Sequence, residues 1–209
     1  MDLDLAQANS ALQGARPQDI LAWGLTLPGK AIVTTNFGPY SAVTLHQCVQ
    51  LDPHIPVLWV DSGYNTRKTY LFAQRMIHDL GLNIQIYNPR MSAARRDALM
   101  GVPDIDDPDH EAFTDQVKLE PFRRAFDALA PTVWITGVRR EQSAFRRDME
   151  IVSQERADGV IKVAPLLDWS EANMKAYLLA NGLPNENDYF DPTKVRLGRE
   201  CGLHNRFTA

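Results

Sequence analysis

The sequence predicts an α/β fold: one domain built on a mainly parallel, twisted sheet with helices on both faces. Three observations point there. Short apolar runs rich in β-branched residues alternate with amphipathic stretches of helical length. The turns that close those runs are polar and contain glycine, as expected where the strands of a parallel sheet feed into helices. The chain has 209 residues, 44% hydrophobic and 23% charged, enough to bury one full core and a better fit to one domain than to two.

Taken in order, residues 1–29 read as an N-terminal helical extension, and 31–35 (AIVTT) as the first buried strand. After Gly38 and Pro39, residues 41–50 read as a helix. Residues 57–60 repeat the scheme, with Asp61, Ser62 and Gly63 as the turn and 66–80 as a helix that Gly81 stops. Further strands are expected at 84–87, 132–136 and 161–164, the second of these feeding the turn 137–140. Ser170 is placed to N-cap a helix running to Asn181, with Gly182 and Pro184 as stop signals. The acid- and proline-rich GVPDIDDPD at 101–109 reads as a loop or cover, and the tail after 184 as irregular.

Charge and cysteine content narrow the function. A net charge of −4 argues against broad attraction to nucleic acid but leaves room for a local basic pocket. The basic residues do cluster: Arg139, Arg140, Arg146 and Arg147 fall within nine positions, and Arg196 and Arg199 precede the second cysteine. Either group suits a polyanionic ligand, although a solvated charged face has the same composition. With only Cys48 and Cys201, these residues supply no four-cysteine iron-sulfur or zinc site, so no bound metal or cluster is expected. Cys48 falls on a buried helix face and reads as core. No apolar run reaches the roughly 20 residues of a membrane helix, and the acidic, polar start MDLDLAQANS does not resemble a secretory signal, so a cytoplasmic location is expected.

Four segments carry chemistry. Thr34, Thr35, Gly38 and Ser41 sit in a strand-to-helix turn whose hydroxyls, backbone N–H groups and helix N-terminus suit a phosphate, though the same residues also make an ordinary connection. Asp61 and Gly63 follow the second strand, where a carboxylate can accept from a ribose or adenine or merely cap the turn. In the third, TGVRREQS at 136–143, the adjacent Arg139 and Arg140 can clamp a phosphate or sulfate. In the fourth, Arg199 and His204 flank Cys201, and cationic neighbours favour the thiolate, whereas Glu200 opposes it.

Together these segments resemble the phosphoadenylyl-sulfate and adenylyl-sulfate reductase family of the adenine-nucleotide α-hydrolase-like group. TTNFGPYSAVTLH is similar to its phosphate loop, WVDSGYNTRKTY to its aspartate-glycine-tyrosine turn, and KLEPFRRAF to its lysine-proline segment; GVRREQSAFR and RECGLH resemble its two strongest signatures. The resemblance covers roughly 31–204. It implies that Thr34, Thr35, Gly38 and Ser41 line the phosphate loop, Asp61 and Gly63 the nucleotide turn, and Lys118, Arg139 and Arg140 an anion pocket. Cys201 would be the nucleophile, supported by Arg199 and His204, on a mobile catalytic tail at 185–209. In that family the thiolate attacks sulfur, an adenosine phosphate leaves, and thioredoxin or glutaredoxin releases sulfite from a cysteine S-sulfonate.

The absence of extra paired cysteines favours the iron-free class, acting on the 3′-phosphorylated substrate in sulfate assimilation; a homodimer is suggested by the resemblance alone. Two departures stand out. Thr34, Thr35 and Asn36 replace serines, and the segment before the cysteine motif is short and lacks the family's glycine-aspartate-histidine-threonine stretch. The rival readings are an ATP pyrophosphatase of the same fold group, which adenylylates or thiolates its substrate, and a non-catalytic nucleotide-binding protein.

Overall fold

The computed structural model describes residues 3–104, 106–154 and 159–194. Six strands, β1 (Ala31–Thr35), β2 (Pro56–Val60), β3 (Asn83–Tyr87), β4 (Val133–Ile135), β5 (Val152–Gln154) and β6 (Ile161–Val163), form one sheet. Its order is β3-β2-β1-β4-β6-β5. All pairings are parallel except β5 with β6, so the antiparallel edge lies at one end. The helices are α1 (Leu5–Leu12), α2 (Pro17–Thr26), α3 (Ser41–Leu51), α4 (Arg67–Asp79), α5 (Ala93–Leu99), α6 (His110–Thr114), α7 (Glu120–Leu129) and α8 (Glu171–Ala180), with a π-helical turn at Asp115–Leu119 between α6 and α7. No helix among the described residues is long and apolar enough to cross a membrane.

The predicted strands and the helices at α3, α4 and α8 are present, displaced at their ends by a residue or two. The edge strand β5 and the short α5 and α6 went unpredicted, because three to seven residues carry too little periodicity to read; the ten-residue α7 was also not assigned, its residues being read only as part of the lysine-proline segment. Within the N-terminal stretch, α2 lies on the sheet, burying Ile20 and Leu21 and bringing Gly24 against Val163.

Alternation along the strands builds two cores, one on each face. Val33, Val57, Val133 and Ile135 point to the side covered by α2, α3, α4 and α8. Ile32, Leu58 and Trp134 point to the other, where Phe122, Ala125 and Phe126 of α7 cover them. Trp134 is the largest fully buried side chain, and its indole N–H donates to Thr34 Oγ1 at 2.9 Å, joining β4 to the end of β1. Cys48 is buried, and burial pushes its thiol up to about 12, as a core cysteine requires.

At the end of β4, Gly137 lets the chain pass close to α3: a Cβ there would lie 2.6 Å from Thr44 Oγ1. After α8 the chain crosses back over the carboxyl ends of the strands as an irregular strap at 183–194. Asp188 O accepts from Thr66 Oγ1 at 2.8 Å and from Thr69 Oγ1 at 3.3 Å. Asn185 Oδ1 accepts from Tyr40 N at 2.8 Å. The strap's strongest tie is ionic. Lys118 Nζ lies 2.5 Å from Asp191 Oδ2, with side chains 13% and 7% exposed. The other carboxylate oxygen accepts from Thr193 N at 3.0 Å and Thr193 Oγ1 at 2.6 Å. Burial alone would raise the Asp191 carboxyl, but the Lys118 ammonium and the Thr193 hydroxyl outweigh it and hold the group at about 2.

Two outcomes follow from these contacts. Gly137→Ala should destabilise the domain by about 1–3 kcal/mol in urea unfolding, and adding Thr44→Ala, which removes the clashing hydroxyl and methyl, should restore at least half of the loss. The carboxyl of Asp191 titrates lower folded than unfolded, so its contribution is present above the unfolded value and fades as pH falls toward the folded one. Asp191→Asn should therefore lose about 3 kcal/mol at pH 7. The gap from wild type should close by about 2 kcal/mol between pH ~4 and ~2; a gap independent of pH would contradict the ion pair's role.

Candidate active site

A cleft of about 370 Å³ opens at the carboxyl ends of β1 and β4. This is where the strand order reverses: β2 lies on one side of β1 and β4 on the other, so the connections leave in opposite directions and part to form a crevice. Leu58, Val60, Phe122, Val138 and Met174 supply apolar walls. Thr34, Thr35, Ser41, Thr44 and Thr136 supply hydroxyls, and Lys118, Arg139, Arg146 and Lys194 bring positive charge. An apolar slot beside concentrated cations and hydroxyls fits a flat ring system joined to an anion.

The loop between β1 and α3 is held in an unusual shape. Phe37 and Tyr40 both have left-handed backbones, at φ 51° and 64°. Such conformations cost non-glycine residues on the order of 1–2 kcal/mol each. Burial offsets this at Phe37, whose ring sits edge-on to Trp59 at 4.9 Å and to Phe72 at 6.4 Å. Local turns use up donors that the sequence suggested would be free. Phe37 N donates to Thr35 Oγ1 at 3.1 Å, Gly38 N to Asn36 Oδ1 at 3.0 Å, and Ser41 N to Gly38 O at 3.1 Å. What the loop does offer is Ser41 Oγ, buried at the start of α3 with no hydrogen-bond partner among the described residues. The helix N-terminus there favours an anion.

The structure brings Thr34, Thr35, Ser41, Lys118 and Arg139 to the cleft. It puts other sequence-predicted residues elsewhere. Gly38 packs under the strap, where a Cβ would lie 3.1 Å from the Tyr189 ring. Asp61 turns into its own loop: Oδ1 accepts from Gly63 N at 3.0 Å, Asn65 Nδ2 at 2.9 Å and Tyr70 OH at 2.8 Å. Burial, and then the Asp61 carboxylate, push the Tyr70 phenol up to about 12, keeping it a donor. Gly63 supplies the left-handed corner of that turn at φ 83°.

The expected pairing of adjacent arginines also separates. Arg140 faces away from the cleft, its Nε 2.6 Å from Asp168 Oδ1 and its Nη1 donating to the carbonyls of Arg147 and Met149. Arg146, flagged by its cluster but not by its spacing, takes the second place instead. It is 6% exposed, and Gln142 Oε1 accepts both from its Nη1 and from Arg139 N. Arg139 is 5% exposed, held by Glu141 and lying over the Tyr40 ring, its guanidinium carbon 5.5 Å from the ring centroid.

Tyr189 and Lys194 were invisible to local reading, since the strap that carries them meets the loop only in three dimensions. Asn36 Nδ2 donates to Tyr189 OH at 2.9 Å. The sequence-predicted Arg199, Cys201 and His204 lie outside the described residues. Of the mobile tail expected at 185–209, residues 185–194 form the strap, tied down at Asn185, Asp188, Tyr189 and Asp191, and the remainder is outside the described residues.

Comparison with known proteins agrees with this architecture. Residues 30–194 match the family model described as the phosphoadenosine phosphosulfate reductase domain. A phosphoadenosine 5′-phosphosulfate reductase of Synechococcus sp. is 37% identical over 93% of this chain and 84% of its own length. One from Xanthomonas campestris pv. campestris is 38% identical over 96% and 92%. Among solved structures, a phosphoadenylyl-sulfate reductase from Candida auris, in complex with phosphate, superposes with a TM-score of 0.77 at 24% identity, covering 89% of this chain and 91% of that one. A Candida glabrata FMN adenylyltransferase shares the fold more distantly, with a TM-score of 0.57 at 16% identity over 83% of this chain and 57% of that one. With the family model spanning the whole sheet and its cleft, and with relatives near two-fifths identical over nearly all of the chain, this protein belongs to the phosphoadenosine phosphosulfate reductase family.

Proposed function

We propose that this chain reduces phosphoadenylyl sulfate to sulfite through a thiol intermediate on Cys201, in sulfate assimilation. The observation that supports this best is the cleft: buried Arg139 and Arg146 and the mostly covered Lys118 converge beside an apolar slot, and Lys194, which also lines it, stands seven residues before Cys201. Seven extended residues span up to roughly 25 Å, ample for the thiol to enter the cleft.

The chemistry follows from those groups. The sulfonucleotide places its adenine in the apolar slot and its phosphates near Ser41 and the cations. Attack on a sulfate group brings one anion onto another, so fixed positive charge around the transferred group lowers the barrier most. The Cys201 thiolate forms an S–S bond to the sulfuryl sulfur while the S–O bond to the nucleotide breaks, and adenosine 3′,5′-bisphosphate leaves with the electron pair. Arg199 and His204 favour the thiolate. An external dithiol, thioredoxin or glutaredoxin, then attacks the Cys201 sulfur and expels sulfite. Its second thiol closes a disulfide on the carrier, and Cys201 returns reduced. The two electrons come from the dithiol, so the chain needs no bound redox cofactor, and its two cysteines do not make a four-thiolate cluster site. A docking surface for the carrier, and a homodimer, belong to the same reading.

Intact-mass spectrometry of reduced protein tests it. Incubation with phosphoadenylyl sulfate should leave an adduct of about 80 Da that is lost in Cys201→Ser and discharged by reduced thioredoxin. An adduct formed only with adenylyl sulfate would reassign the substrate. Binding of both nucleotides with no adduct from either would overturn the reductase mechanism.

A further inference from the structure

The left-handed backbone at Tyr40 is unexplained by the loop's own turns. Glycine takes φ 64° without strain, yet this position carries a large aromatic side chain, so something the side chain does outweighs the strain. Three contacts surround it. The backbone N–H donates to Asn185 Oδ1 at 2.8 Å, which ties the residue to the strap. The phenol donates to Glu171 Oε1 at 2.8 Å, at the first residue of α8. The ring face lies under the Arg139 guanidinium, 5.5 Å from its carbon, and both residues line the cleft.

We propose that Tyr40 is a positioning residue for Arg139: its ring holds the guanidinium plane at the cleft wall so that the edge away from Glu141 meets the anionic ligand. The inference rests on the cleft's being an anion site, as in the proposed function. The hydrogen bonds of the Arg139 side chain to described residues all run through Nη1, to Glu141 and to Trp169 O at 3.4 Å. Nε and Nη2 therefore stay available to a ligand, and with Nη1 alone tethered the group would otherwise swing about that contact. A ring below it removes that freedom, and a guanidinium on an aromatic face keeps its in-plane donors. The Glu171 contact fixes the tilt of the ring, and the left-handed backbone brings the ring under the arginine.

A double-mutant cycle tests this, with adenosine 3′,5′-bisphosphate as the titrant and wild type, Tyr40→Gly, Tyr40→Phe, Arg139→Ala and the Tyr40→Gly/Arg139→Ala pair as the proteins. Glycine relieves the backbone, so Tyr40→Gly should fold while lacking the ring. It should weaken binding about 5- to 20-fold. Tyr40→Phe keeps the ring and should stay within about twofold of wild type. In the Arg139→Ala background, removing Tyr40 should cost no further affinity, which separates positioning from a general loosening of the loop. Equal losses from Tyr40→Gly in both backgrounds would mean that the ring acts on the ligand or the loop itself, and would overturn the proposal, as would no loss at all. Wild type that fails to bind the bisphosphate would instead overturn the reading of the cleft on which the proposal stands.

Discussion

The parallel pairing of β1 with β4, from Ala31 opposite Val133 to Val33 opposite Ile135, is the constraint on which the rest of this molecule depends. It places two strands far apart in the chain side by side at the point where the sheet reverses its order. Their carboxyl ends therefore open a crevice, and both turns, the Phe37–Tyr40 loop and the run from Thr136 to Arg146, face into it. The indole of Trp134 reinforces the pairing by bonding Thr34, and its burial under α7 makes the alignment expensive to shift.

Around that crevice, positive charge is kept in place by partners rather than by water. Lys118 is held by Asp191, Arg139 by Glu141 and the Tyr40 ring, and Arg146 by Gln142. Cations withdrawn from water without such partners would be costly to desolvate; with them, the side chains are held in place. The arrangement fixes positive charge along one wall, which is what the proposed transfer between two anionic groups needs most.

The strap links the site to the rest of the fold. It rises from α8, crosses the loop at Asn185 and Tyr189, and is anchored at Asp191 to a lysine on the π-helical turn. A π-turn inserts an extra residue per turn and re-aims the side chains around it, which is how Lys118 comes to face inward at the junction of α6 and α7. The same contacts bring the end of the described strap to the cleft, with Lys194 in its lining.

Much of this was legible in the residues themselves. Periodicity and turn chemistry are local, so five of the six strands in order, the helices α3, α4 and α8, the core role of Cys48 and the Ser170 cap could be read directly. The segments that line the cleft were also visible, because a hydroxyl-rich turn after a buried strand, or an arginine pair after another, has a local meaning. Which member of a motif faces the site was not. Arg140 and Arg146 are chemically identical, and only the course of the chain after β4 sends one to Asp168 and the other to the cleft. Asp61 reads equally as a ligand or as a cap of its turn, and only the fold shows its carboxylate bonded to Tyr70 and Asn65. The strap's contribution, from Tyr189 to Lys194, was hidden for the same reason: its partners lie scores of residues away along the chain, and no periodic pattern encodes a meeting of that kind. The sequence by itself determined the elements and the chemistry available; only tertiary packing, by setting which side chains satisfy one another, decided which of them remain for a substrate.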